Sequence, residues 1–403
     1  MLAQNAFQGL ARRWTALGPY NVLHLLQVKG RVEPEHWRDA VATAISPLGF
    51  QPPAAIATTY EDLAQGITVE LNKPFEAADQ PLRFFIIQVR PDDYYFGVTF
   101  DHWIADSHSI RLLMQRIFSN YKGNGATPEL LALRPTTFSF AELFGRANLP
   151  AGLYECVRNY VRHRRARPLA IREPLDFSVG FQYRQLPNGL IDRIRQFGAK
   201  RNATVNDVFI AAAAMAFGRR AGFDATNKNP RDLGAISVAV DLRPLARKSI
   251  DDRFGFFLGY FNVLVHDLGT ANFDDIVTQV AAETRDAKSG KRALHLFHVF
   301  KFANFCWDRY RQPRRRALMF HRAMPALGGI SNVNLSASWI EGDPSILDYI
   351  RVAPAGPILP ATFALTTIRD RLSLGVTYRN AVISGKQASV IISDFVERLG
   401  ALP

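Results

Sequence analysis

The chain has 403 residues, of which 48% are hydrophobic and 21% charged, and no long polar or low-complexity tract; this excludes intrinsic disorder and leaves room for two domains or one bilobal unit. Its two cysteines, Cys156 and Cys306, form no C-x-x-C pair, so a disulfide framework and a cysteine-based zinc site are excluded and free thiols point to the cytosol. A net charge of +13 draws polyanions of any kind: nucleic acid, anionic lipid, coenzyme phosphates or an acidic carrier protein.

The N-terminal run MLAQNAFQGLARRWTALGPYNV lacks the basic start and apolar stretch of a secretory signal. No run of about 18 uninterrupted apolar residues predicts a membrane span. The first part of the chain reads as helix, strand, helix and then a hairpin. FFIIQVR (84–90) and YYFGVTF (94–100) are rich in β-branched and aromatic residues, and Pro-Asp-Asp between them is a turn signal. DHWIADS (101–107) follows, then a helix in which Ile110, Leu113, Met114, Ile117, Phe118 and Tyr121 recur at helical spacing. Ser107 or Ser109 is the expected cap of its first turn, and His102 stands at an exposed corner between strand and helix.

Basic residues cluster in RNYVRHRRAR (158–167) and RYRQPRRR (309–316), both readable as solvated surface. The Pro- and Arg-rich passage RRARPLAIREPLDFS (164–178) marks a linker at 166–178, dividing a lobe of residues 1–165 from one of residues 179–403. TVNDVFIAAAAMAFGRR (204–220) reads as a capped, mostly buried helix, followed by strands at 235–240 and 256–265. In 293–310, His295, His298, Lys301, Asn304 and Asp308 make a narrow polar stripe on an otherwise aromatic and aliphatic helix. Such a helix is ordinarily core; the sharper reading is a docking face for an apolar substrate, or a peripheral membrane contact through 293–316. Two strand-like runs flank Arg369-Asp370-Arg371, and a helix at 386–399 ends the chain. Strands alternating with helices in both halves predict an α/β architecture.

Asp101-His102-Trp103-Ile104-Ala105-Asp106-Ser107 carries the chemistry. Spacing alone is weak, since H-x-x-x-D is frequent by chance and fits a surface histidine beside a helix-capping acid. No G-x-S-x-G elbow, dinucleotide fingerprint or P-loop competes with it. His102, His108 and Asp106 across a strand–helix corner make poor chelating geometry, so no metal is expected.

The run PLRFFIIQVRPDDYYFGVTFDHWIADSHSIRLLMQRIFSNY resembles the chloramphenicol-acetyltransferase-like superfamily, which includes nonribosomal-peptide condensation domains, BAHD acyltransferases and wax-ester synthases. The resemblance extends along the chain. PYNVLHLLQVKGRVEPEHWRDAVATAI (19–45) is similar to the family's opening strand and helix, and TVNDVFIAAAAMAF (204–217) to the helix that begins its second lobe. SVAVDLRP (237–244), FGFFLGYFNVLV (254–265) and SNVNL (331–335) resemble its arginine-bearing strand, its glycine-aromatic strand and its lobe-interface strand.

That resemblance implies two chloramphenicol-acetyltransferase-like lobes, each a mixed sheet with flanking helices, forming a V with a tunnel between them. It implies His102 as general base, Asp106 as an orienting carboxylate that takes no proton, and Arg243 as its ion-pair partner. It places Trp103, Ser107, Ser331 and Asn332 along the substrate channel. The activity implied is transfer of an acyl group from a thioester to a hydroxyl or amine. The co-substrate is acyl-CoA or a phosphopantetheinyl carrier thioester, with no permanently bound cofactor. An acidic acyl or peptidyl carrier protein is the expected partner beside a small-molecule acceptor; nucleic acid, supported by charge alone, is not expected. Asp101 replaces the first histidine of the double-histidine form, Ser107 replaces the glycine after the aspartate, and the D-F-G-W-G signature of BAHD enzymes is missing. The first two departures motivate an alternative, a non-catalytic condensation-like scaffold that binds a carrier or lipid.

Overall fold

The computed structural model describes residues 5–59, 62–76, 80–123, 133–136, 138–145, 149–223, 229–336 and 338–403. In chain order the strands among them are β1 (Asn21–Lys29), β2 (Ala57–Thr59), β3 (Leu82–Arg90), β4 (Asp93–Asp101), β5 (Arg134–Pro135), β6 (Val179–Gln185), β7 (Gly234–Asp241), β8 (Arg253–Phe254), β9 (Leu258–Val265), β10 (Gly328–Asn334), β11 (Ile346–Val352), β12 (Ala361–Ile368) and β13 (Arg371–Arg379). They fall in two units, and each unit is a mixed sheet with flanking helices.

The first unit comprises residues 1–146, 241–258 and 335–352. Its sheet has the order β11-β1-β4-β3-β2, antiparallel except where β2 pairs with β3. The expected hairpin is β3–β4. Gly97 in β4 lets the Phe85 ring lie across the strand, because a Cβ there would stand 2.3 Å from that ring. On the sheet's other side the Trp37 ring stacks between Phe96 and Tyr121, with centroids at 4.0 and 3.9 Å. The stripe predicted after the motif is the buried face of the helix Ser107–Tyr121: Ile110, Leu113, Met114, Ile117 and Phe118 are all buried. A short parallel pair, β5–β8, completes the strands of this unit.

The second unit comprises residues 147–240, 259–334 and 353–403, with sheet order β6-β13-β12-β10-β7-β9. β10 runs parallel to both β12 and β7. The helix Val205–Arg220 is capped by Thr204 through a capping box with Asp207, whose carboxylate also accepts a hydrogen bond from Thr284 at 2.7 Å. Its alanine-rich centre is buried, since small side chains allow close approach to the sheet, and Phe217 packs against Phe363.

Three expectations need correction. The boundary at 166–178 falls inside the second unit, together with the helix Leu149–His163, and segments 241–258 and 335–352 return to the first. The supposed linker is pinned down: Arg167 donates to the carbonyls of Ala221, Gly222 and Arg231, and Arg379 donates to those of Pro174 and Asp176. The helix Arg292–Arg309 is core on one side only, and its polar stripe does not divide exposed from packed residues, since Lys301 and Asp308 are exposed and His295 is half-buried. His298 and Asn304 are half-buried, whereas Phe302 and Phe305 are 66% and 50% exposed; the packed side holds Leu296, Phe297, Phe300, Ala303 and Trp307. Third, the strand–helix corner at His102 is buried rather than exposed. No described helix is long and apolar enough to cross a membrane.

Candidate active site

The corner forms because β4 ends at Asp101 and a tight turn follows, closed by the Ile104 N–H on the Asp101 carbonyl at 3.0 Å. The His102 N–H donates to the Tyr20 carbonyl, and the Asp106 N–H to the Gly255 carbonyl, so both ends of the turn are tied to the first unit. His102 is 7% exposed and Asp106 3%. The helix cap is Asp106 itself, neither Ser107 nor Ser109: its carboxylate accepts from the Ser109 N–H at 2.8 Å. A carboxylate caps as well as a hydroxyl and also suits the positive end of the helix dipole.

Asp106 has three further hydrogen bonds. Arg243, on a short helical turn just beyond β7, grips it in fork geometry, with Nη1 2.8 Å from Oδ2 and Nη2 3.2 Å from Oδ1. The Phe257 N–H donates to Oδ2 at 2.8 Å. Burial alone would raise this carboxyl's pKa, but the Arg243 charge and the Arg243, Ser109 and Phe257 donors hold it below its ordinary value. Asp106 is therefore an anion that orients the turn, and it has no proton to exchange near neutrality. Ser109 adds a support that sequence reasoning missed. Its Oγ accepts from Arg243 Nη2 at 2.9 Å and donates to the Gly255 carbonyl at 2.8 Å.

His102 stands among aromatic rings, with centroids of Phe256 at 5.3 Å, Tyr20 at 5.6 Å and Phe100 at 6.3 Å. Burial pushes the imidazole pKa down to about 4, against the opposing pull of the Asp106 charge and the Ala105 backbone. The ring is thus neutral at neutral pH and free to accept a proton. Nδ1 is buried without a well-formed hydrogen bond among the described residues, so the residue meets solvent through other atoms.

Asp101, the residue in place of a first histidine, is buried too. Burial raises its carboxyl to about 7, although the Trp103 indole donates to Oδ2 at 2.9 Å and Arg12 lies near. Trp103 is half-buried, its carbonyl accepts from Gln8 at 2.9 Å, and the Arg12 guanidinium lies 5.1 Å from its ring. Ser107 is half-buried and its Oγ accepts from Arg351 Nε at 3.1 Å.

The structure therefore brings His102, Trp103, Asp106, Ser107 and Arg243 into one cluster of the first unit. Ser331 and Asn332 lie on β10 of the second unit, half-buried, opposite Ala364 and Leu365 of β12. Tyr20 and Phe256 were not anticipated, and Ser109 was expected only as a cap; the S-H-S run after Asp106 and the aromatic run 254–257 were the available signals. Among the described residues, no group of three His, Cys, Asp or Glu side chains is arranged to hold a metal ion.

Comparison with protein-family models and with curated proteins gives no match. Solved structures match from end to end. Trichothecene 15-O-acetyltransferase from Fusarium sporotrichioides aligns with a TM-score of 0.70 at 11% identity, covering 99% of this chain and 94% of that one. The first condensation domain of the CDA synthetase aligns at 0.67 and 13%, covering 100% and 95%. The X-domain from teicoplanin biosynthesis, solved in complex with OxyB, aligns at 0.57 and 16%, covering 100% and 95%. At these identities the shared property is the fold. The chain therefore has the fold of these condensation domains and of this acetyltransferase, two mixed α/β units with flanking helices.

Proposed function

We propose that the protein is an acyltransferase that moves an acyl group from a thioester to a hydroxyl or amine, with His102 as general base. One observation carries this reading: a buried imidazole kept neutral at a strand end, in a turn locked by the Asp106–Arg243 pair. As the acceptor oxygen or nitrogen attacks the thioester carbonyl, its proton passes to the ring. The carbon–sulfur bond then breaks, and the ring returns the proton to the departing thiolate. A thioester is already activated, so a weak base placed within reach suffices, and no covalent enzyme intermediate is needed. The fold shared with an acetyltransferase and a condensation domain supports the reaction class.

The donor we propose is acyl-CoA or an acyl group on a phosphopantetheinyl carrier protein. The net charge of +13 favours either, as both present anionic groups. Ser107, Trp103, Ser331 and Asn332 are proposed as channel-lining residues. Two free thiols, Cys156 and Cys306, support a reducing, cytosolic setting.

A second reading is a non-catalytic scaffold. Asp101 and Ser107 at motif positions favour it, and a fold match to an X-domain solved in complex with another protein, OxyB, supports a binding role. Intact-mass detection of product from mixed thioesters and amine or alcohol acceptors separates the two. Under the proposal His102→Ala loses roughly 10²–10⁴-fold in turnover while remaining folded by circular dichroism. Equal turnover in that variant removes His102 from the chemistry, and no product from any thioester leaves the scaffold.

A further inference from the structure

The helix Leu149–His163 buries Gly152, Asn159 and His163, which with half-buried Glu155 and Cys156 occupy one arc of the helix. Its opposite arc is apolar. Leu153, Tyr154, Val157, Tyr160 and Val161 are between 51% and 66% exposed, where an ordinary surface helix carries polar residues. Gly152 lies against the His298 ring of the helix Arg292–Arg309. That helix exposes Phe302 and Phe305, one and two turns beyond His298. Of the twelve large apolar side chains that stand exposed among the described residues, seven lie on these two touching helices, which is clustering rather than scatter.

Basic groups predominate around this surface. Its neighbouring acids Glu155, Glu283 and Asp286 are already engaged by Arg158, Arg162 and Arg292. Arg311, Arg314 and Arg315 follow the aromatic helix, exposed and in no ion pair among the described residues. Arg309 covers the Phe305 ring, with Asp308 the one acid on that helix.

We infer that this surface seats the protein on an anionic lipid bilayer. Leu153, Val157, Val161 and the two phenylalanines enter the boundary between headgroups and acyl chains. Tyr154 and Tyr160 lie at headgroup level, and the three free arginines hold the anionic headgroups. A bilayer matches both features, whereas an acidic protein matches the charge and leaves the outward aliphatic row unexplained. The contact is peripheral, since no described helix is fit to span. Its centre is the helix Leu149–His163, because the neighbouring aromatic helix commits most of its apolar side chains to the core. The inference is independent of His102.

The test is flotation of the full chain with vesicles of phosphatidylcholine alone or mixed with phosphatidylglycerol. The mixed vesicles should carry the protein up, less so as salt rises. Val157→Asp/Val161→Asp and Arg314→Glu/Arg315→Glu should each cut binding by roughly tenfold or more, with unchanged thermal midpoints because all four positions are exposed. Failure to float with anionic vesicles at low salt overturns the inference, as does wild-type binding by the aspartate variant. A dimer in sedimentation that the aspartate variant abolishes, without vesicle binding, assigns the face to a second copy instead.

Discussion

At Asp106 four hydrogen bonds, two of them from one guanidinium, converge on a carboxylate with almost no access to water. Removing it leaves Arg243, whose side chain is 2% exposed, with only the solvent-exposed carboxylate of Asp241, 3.1 Å away, as a charge partner among the described residues. Asp106→Ala should therefore cost about 3–5 kcal/mol, read as a lower urea midpoint, and an unaltered midpoint would show that the pair is dispensable. His102 makes a different prediction. Its depressed pKa, about 4, means that the base is protonated only in acid, so kcat/KM should fall below about pH 4 and stay level from pH 5 to 8 on this account. A limb between pH 6 and 7 instead would point to Asp101, whose carboxyl sits near 7, and Asp101→Asn should then erase it. The motif residues were readable because a family resemblance names them. Their surroundings were not: Gly255, Phe256 and Phe257 reach the turn from about 150 positions downstream, a pairing that no local pattern encodes.

At the scale of elements, hairpin and helix patterns follow from local rules and appear close to where they are expected, as with β3–β4 and Val205–Arg220. Details set by tertiary partners differ. Gly97 looks like a weak point in a strand pattern, yet the Phe85 ring occupies the space its side chain would need. Gly97→Ala should destabilise by about 1–3 kcal/mol through overpacking, and Phe85→Leu in the same chain should recover part of it. Equal urea midpoints for wild type and Gly97→Ala would refute that contact. The motif helix teaches the same lesson: two serines have the right local chemistry for a cap, but Asp106, fixed from outside by Arg243 and Phe257, takes the position.

For the whole molecule, pH is the sharpest probe. His102 and His163 are buried and neutral, each with its pKa pushed down to about 4 by burial, and His24 is also held well below its ordinary value. The unfolded chain binds these protons near pH 6.5, so it carries more of them than the folded chain between pH 6.5 and 4. Stability is then fully present above pH 6.5 and drains away as pH falls toward 4, by on the order of 3 kcal/mol for His102 alone. Asp101 works in the opposite sense, since its raised carboxyl gains its proton on the folded side as pH drops below about 7, and it offsets roughly one histidine. Urea midpoints should fall steadily between pH 7 and pH 4.5; constancy over that range would mean that these imidazoles are solvated.

By itself the sequence determined the periodic elements, the capped and buried helix of 204–220, the H-x-x-x-D motif and, through its ordered resemblances, the two-unit α/β fold. These are written in residues two to four apart or in a motif read along one strand and one helix. Only the tertiary structure decided that the motif corner is buried, that residues 241–258 and 335–352 return to the first unit, and that Leu149–His163 carries apolar residues on its outer arc. Each of those depends on which distant segment removes water from a side chain, and burial, unlike periodicity, belongs to the packed pair rather than to either partner.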